Sequence, residues 1–248
     1  MKPVPRFVPH LLAAALVCCP WAANAQGYSD YFPSGSYRSQ FYLGGAIGAS
    51  FYPDQTGATA GWFDNAYTAT TSLSSGDFIT TLSGQDATAF GAKVYGGAWI
   101  TPHVALEAGW ASLGRIGWAT YSSNTTGSFS VNNSGNVAPH AWYEAVLLGT
   151  DWYGIRYFVK GGAYEASTDL EAFGFNDNTG AAFGGSQTFH NTGGLAGLGI
   201  HVGRGHVAMR LEVEDFINVG PGSMPVTSAI PPWHGSIVLL SAGVAYLF

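Results

Sequence analysis

The chain has 248 residues, of which 10% are charged and 15% aromatic, and its formal net charge is −6. A charged fraction far below the usual quarter cannot clothe a soluble domain of this length, and an acidic chain without a basic stripe is not built to hold nucleic acid. No stretch after residue 25 reaches the roughly 18 continuous apolar residues of a membrane helix, so a lipid-facing version of this chain must cross with strands.

Residues 1–25 read as an export signal. Lys2 and Arg6 give a positive start, Leu11 to Cys19 is an apolar run too short to span a bilayer, and Ala23-Asn24-Ala25 is a small-x-small cleavage site. Both cysteines, Cys18 and Cys19, fall inside it, preceded by Val17 and Cys18 where a lipid-accepting cysteine follows Gly, Ala or Ser. The exported chain is therefore expected to lack disulfides and, without Lys2 and Arg6, to be more acidic still. Residues 26–39, with Tyr28, Tyr31, Phe32 and Tyr37, read as a flexible leader, and residues 40–248 as one barrel domain.

From residue 40 onward, segments of about ten residues alternate between apolar and small or polar side chains, as membrane-crossing strands do. Eight strands are predicted, over 40–51, 86–100, 104–116, 139–150, 155–166, 190–202, 206–218 and 236–248. Thr101-Pro102-His103, Asp151-Trp152-Tyr153-Gly154 and Gly203-Arg204-Gly205 are short connections, whereas 52–85, 117–138, 167–189 and 219–235 are long. This alternation predicts an all-β, antiparallel, up-and-down transmembrane barrel with short periplasmic turns and long external loops. A soluble barrel has no reason to sort its connections by length.

Faces follow from cost, because a Lys or Arg facing lipid at mid-membrane costs about 2–4 kcal/mol. Charges are therefore assigned inward. Met209, Leu211 and Val213 face lipid against inward Arg210, Glu212 and Glu214. Phe90, Ala92 and Val94 face out with Lys93 inward; Leu106 and Trp110 face out with Glu107 inward; Tyr157 and Val159 face out with Lys160 inward. On the same rule Tyr143, Ala145 and Leu147 face lipid and Glu144 points in. Glu165 and Asp215 break the rule near loop ends, where the cost falls toward zero. The expected lumen network is Lys93, Glu107, Glu144, Lys160, Arg210, Glu212 and Glu214, with Gly44, Ala46, Gly48, Gly91, Gly97, Gly197 and Gly199 leaving room for it. Buried charges must pair. The network is read first as a static plug and second as a gate that opens on rearrangement.

The last strand places Val238, Leu240, Val244, Tyr246 and Phe248 on the lipid face, and Ser241, Gly243, Tyr246 and Phe248 form the pattern that barrel-assembly machinery reads. With these features in view, Phe41-Tyr42-Leu43-Gly44-Gly45-Ala46-Ile47-Gly48, Gly91-Ala92-Lys93-Val94-Tyr95-Gly96-Gly97, Leu106-Glu107-Ala108-Gly109-Trp110, Gly194-Leu195-Ala196-Gly197-Leu198-Gly199 and Arg210-Leu211-Glu212 resemble the OmpA-like family of small outer-membrane barrels. The resemblance runs over 40–248, mostly as pattern, and implies a barrel-only, monomeric member without the peptidoglycan-binding domain of full-length relatives. It implies outer-membrane lipid, lipopolysaccharide and the assembly machinery as partners, and a role in adhesion, envelope stability or slight permeability.

Chemistry-bearing motifs are few. There is no HExxH, no cysteine pair in the exported chain and no calcium loop, so no metal or cofactor is expected. Glycines at 44, 45 and 48, and at 194, 197 and 199, read as strand glycines because no helix follows them. A lipid-modifying barrel enzyme would need His, an acid and Ser at matched depth on the outer face. Of His103, His140, His190, His201, His206 and His234, only His234 is followed two residues later by Ser, at Ser236, and it is read as a rim histidine. The chain is expected not to be an enzyme. Trp62, Phe63, Tyr67 and Phe78, with Phe173, Phe175 and Phe183, lie in predicted external loops as a contact surface for a host or matrix ligand, or as packing within loop hairpins. Asn124-Thr125-Thr126 matches a glycosylation sequon but carries little meaning in a bacterial envelope protein.

Overall fold

A computed structural model describes residues 40–71, 76–221, 231 and 233–248; the predicted signal and leader at 1–39 and most of the last long connection lie outside the described residues. The strands are β1 (Gln40–Phe51), β2 (Ile79–Gln85), β3 (Thr88–Trp99), β4 (Val104–Ser112), β5 (Ile116–Asn124), β6 (Ser130–Trp152), β7 (Ile155–Asn176), β8 (Ala182–Arg204), β9 (Val207–Val219) and β10 (Gly235–Leu247), with one helix, α1 (Thr56–Thr70). The sheet runs β2-β5-β6-β4-β3-β1-β10-β9-β8-β7, and β6 pairs again with β7. That second pairing closes a ring of eight strands in sequence order, all antiparallel, which removes the exposed edges of the membrane part. No helix among the described residues is long and apolar enough to cross a membrane.

Turn chemistry fixes the lower end. Tyr153 (φ 51°) and Gly154 (φ 77°) are the two residues between β6 and β7, both left-handed as a tight two-residue hairpin requires. On the outer face Trp152, Tyr157, Tyr246 and Phe248 form a lower aromatic girdle, and Phe51, Phe90 and Trp142 an upper one, with Leu43, Ile47, Val94, Val159, Leu198 and Leu211 exposed between them. Such a continuous apolar skin is unfavourable in water and matches hydrocarbon.

The fold departs from the predicted loops above the upper girdle. Residues 117–138 and 167–189 continue as strands: β6 and β7 stay paired from Trp152 and Ile155 up to Val131 and Asn176, and β7 and β8 from Ile155 and Val202 up to Phe175 and Ala182. The lower half of β6 pairs with β4 and its upper half with β5, the chain kinking between them at Gly114 (φ 84°). β2 adds to β5. A five-stranded sheet thus stands outside the membrane as an extension of the barrel wall. Its inner face is backed by α1, where the Phe63 ring packs tilted at 5.8 Å from Trp118 and the Tyr67 hydroxyl donates to Asn133 Oδ1 at 2.9 Å.

Candidate functional site

The inward side chains of six strands meet in one layer. Lys160 Nζ lies 2.8 Å from Glu107 Oε1 and 2.5 Å from Glu214 Oε1. Lys93 pairs with Glu212 and Glu214, and Arg210 with Glu107 and, at 2.8 Å, with Glu212. Tyr42 and Tyr143 donate to the Glu107 carboxylate at 2.9 and 3.2 Å. The Arg210 guanidinium also sits between the Tyr95 and Phe158 rings, at 4.5 and 4.6 Å. Three bases meet three acids, so the buried cluster is neutral, and the Lys and Glu side chains have no exposed surface. Glycines make the space: a Cβ on Gly44 would lie 2.6 Å from the Tyr95 ring. Phe216, Leu195, Ile237 and Leu239 form a buried apolar layer above, and below it Arg156 bonds Asp151 at 2.7 Å against the Trp99 ring. Among the described residues, Ser50 Oγ, Ser241 Oγ, Tyr95 OH and His201 Nε2 are buried in the lumen without a hydrogen-bond partner.

Six of the seven residues expected in the lumen network are brought together there; Glu144 is not. In β6 the buried positions are Tyr143, Ala145 and Leu147, the reverse of the sequence expectation, and Glu144 faces outward between Ala108 of β4 and Ala163 of β7. Its height explains the outcome. It lies one outward step below Trp142, and Glu165 pairs directly with Trp142, so Glu165 sits at the upper girdle and Glu144 just beneath it, on the side where the membrane penalty falls. Keeping Glu144 outside is also what leaves the lumen cluster neutral.

One row above, register aligns Ser112, His140, Ser167 and His190 across β4, β6, β7 and β8 on the outer face. This juxtaposition was invisible in the sequence, where the four are far apart. No hydrogen bond joins Ser167 to either imidazole among the described residues. Nor is any group of three or more His, Cys, Asp or Glu placed to hold a metal there.

Of the predicted contact aromatics, Phe78 is exposed (61%), but Phe63 is buried (2%), and Trp62 and Tyr67 pack with it in α1. Helical winding turns these three onto the inner face of the external sheet, so they hold the module together and do not present a surface. The accessible aromatics lie on the opposite face. Leu82, Tyr121, Asn132 and Phe175 are register partners in one row across β2, β5, β6 and β7, and Gly84, Ala119, Ser134 and Phe173 in the next. Tyr121 and Phe175 rise from the first row, and Phe173 closes the second beside the small Gly84, Ala119 and Ser134, leaving an open trough of about 490 Å³. An adjoining hollow is lined by Asn136 and Glu171. The top of the sheet is tied by Asp77, which accepts from Asn124 Nδ2 at 2.7 Å and from the Thr125 N–H at 2.9 Å. Partial loss of water raises the Asp77 pKa, but bonds from Thr126, Thr125 and Asn124 more than offset this and hold it below the usual aspartate value. The Asn124 amide is occupied by these corner bonds.

Comparison with known proteins agrees with this architecture. Residues 37–248 match the OmpA-like transmembrane domain. Among solved structures, the chain is similar to the attachment invasion locus protein Ail of Yersinia pestis, crystallised with the heparin analogue sucrose octasulfate (10% identity, 85% of this chain and 97% of that one, TM-score 0.41). It is also similar to the outer membrane protein OprG of Pseudomonas aeruginosa (8% identity, 85% and 96%, TM-score 0.47) and to Neisserial surface protein A (13% identity, 86% and 100%, TM-score 0.31). Among curated proteins no match is found. A closed eight-stranded ring with a lipid-matched skin and an ionic interior, matched over nearly its whole described length, establishes that this chain belongs to the OmpA-like transmembrane domain family of the bacterial outer membrane.

Proposed function

We propose that this barrel is a non-catalytic, non-conducting anchor that presents a folded external sheet for surface interaction. The observation that carries the reading is the division of labour along the barrel axis. The lumen is filled by a neutral, mutually paired ion layer, whereas the wall continues beyond the membrane as β2, β5 and the upper halves of β6, β7 and β8, backed by α1. A static plug needs no such superstructure. In this reading the skin meets lipid and lipopolysaccharide as a monomer, the first 25 residues are removed on export, and Ser241, Gly243, Tyr246 and Phe248 engage the assembly machinery. Tyr246 and Phe248 face outward, where such a reader can reach them. The test replaces residues 169–188 by a short turn and measures adhesion of expressing cells to host cells and matrix. Adhesion should fall to the empty-vector level while the barrel remains folded; unchanged adhesion refutes the reading.

A second reading, a narrow gated pore, draws on the unpartnered lumen groups Ser50, Ser241, Tyr95 and His201, which water could join into a path. It predicts that Arg210→Ala or Lys93→Ala raises single-channel conductance.

A further inference from the structure

We infer that the trough on the outer face of the external sheet is a binding site for an uncharged saccharide chain. This rests on the surface-interaction reading above and names its ligand. The trough crosses four strands whose backbones are already paired to one another, so it offers no free ladder to an extended peptide. What it offers is ring faces and small polar groups. Tyr121, Phe173 and Phe175 stand exposed as ledges, and Ser134 lines the floor between them beside Asn132, whose amide also donates to Asp177 Oδ2 at 2.8 Å. Sugar rings present C–H faces to aromatic rings and hydroxyls to amides, which is the same mixture. Neighbouring strands lie about 4.8 Å apart, close to the advance per unit of an extended saccharide chain, so successive rings can meet successive strands.

The floor is also kept low without a packing reason. A Cβ on Gly84 would meet nothing within 4 Å, unlike Gly44 or Gly97, where tyrosine rings occupy the space. That open space is shared by other exposed glycines such as Gly161 and Gly185, but at Gly84 it adjoins the aromatic ledges and deepens the trough. Charge narrows the occupant further. Among the described residues Arg115 is the only Lys or Arg on the external part, and it pairs with Glu171. Asp77, Asp86, Asp169, Glu171 and Asp177 surround the sheet. This field repels sulfated or phosphorylated polymers and leaves neutral ones unpenalised.

The test uses the exported chain folded in a detergent without a sugar headgroup, titrated with cellohexaose, chitohexaose and maltohexaose, and with a heparin hexasaccharide as the polyanion. Saturation-transfer NMR and calorimetry should detect at least one neutral hexasaccharide and no heparin binding. Phe173→Ala should weaken binding about tenfold, the loss expected for one stacked ring. Gly84→Trp should abolish it by filling the trough, and Phe78→Ala, away from the trough, should leave it unchanged. Failure of every neutral probe to bind, binding that survives Gly84→Trp, or tighter binding of heparin overturns the inference. Cell adhesion separates the two claims. Adhesion lost on replacing 169–188 but intact in Gly84→Trp removes the saccharide site alone, whereas adhesion intact in both removes the surface-interaction reading with it.

Discussion

Replacing Lys160 by Met leaves the lumen with three carboxylates and two bases. Among the described residues Lys160 is the only cation within 4 Å of both Glu107 and Glu214, and its ammonium also lies 4.0 Å from the centre of the Tyr143 ring. Two effects oppose each other. Met is spared the cost of dehydrating an ammonium, but one carboxylate stays ionised and uncompensated out of reach of water. Where one partner of a buried pair is removed, the second effect wins by about 3–5 kcal/mol. At about 1.4 kcal/mol per decade this lowers the folding equilibrium constant by two to three and a half decades. Arg115→Met is the matched control. Its pair with Glu171 is 3.9 Å long with side chains 62% and 52% exposed, and such a pair contributes less than about 1 kcal/mol. The double variant Lys160→Met with Glu107→Gln restores neutrality and keeps a hydrogen-bonding group beside Tyr42, Tyr143 and Arg210, so it should be more stable than the single variant. The assay is reversible urea unfolding of barrels folded into lipid vesicles, followed by tryptophan fluorescence. Equal losses for Lys160→Met and Arg115→Met, or a double variant worse than the single, would refute the reasoning.

Gly44→Ala drives a methyl into the Tyr95 ring and should cost about 1–3 kcal/mol in the same assay, whereas Gly84→Ala should be nearly silent. For Asp77 the sign is set by its lowered folded-state pKa. Its contribution is fully present above the unfolded value of about 3.9 and lost as pH falls through the folded one. The protection factor of the Thr125 amide, which divides out the intrinsic pH dependence of exchange, should therefore stay high at neutral pH and fall only in strong acid; Asp77→Asn should remove that pH dependence. Overexpression of the wild type and of Ser167→Ala should give identical lipid mass spectra; loss of acyl chains with the wild type alone would establish the Ser112–His140–Ser167–His190 row as catalytic.

Where charge and hydropathy agreed, the sequence was enough. Arg210, Glu212 and Glu214 alternate with Met209, Leu211 and Val213, and β9 has the inward face that alternation demands. Strand β6 was ambiguous because both of its faces are apolar: Tyr143, Ala145 and Leu147 on one, Trp142, Val146 and Leu148 on the other. Only Glu144 broke the tie, and a cost rule valid at mid-membrane misleads at the girdle. The external strands were hidden for a different reason. Residues such as Ser130, Asn132 and Ser134 face water on one side, while Asn133 and Thr120 are buried polar residues bonded to each other at 3.0 Å on the other, so no hydrophobic alternation marks them. Helix α1 has Gly57, Gly61 and several threonines, a composition with little intrinsic helicity. Its aromatics fold it against Trp118, a long-range contact no local pattern encodes. The trough and the histidine row exist only through register between distant segments.

Ionic conductance of the purified wild-type barrel in a planar bilayer tests the central claim most directly. A lumen sealed by paired Lys93, Glu107, Lys160, Arg210, Glu212 and Glu214 predicts a flat current with no single-channel steps across the physiological voltage range. Regular, reproducible open-channel steps from the unaltered protein would contradict it, and would transfer the function from the external sheet to the lumen.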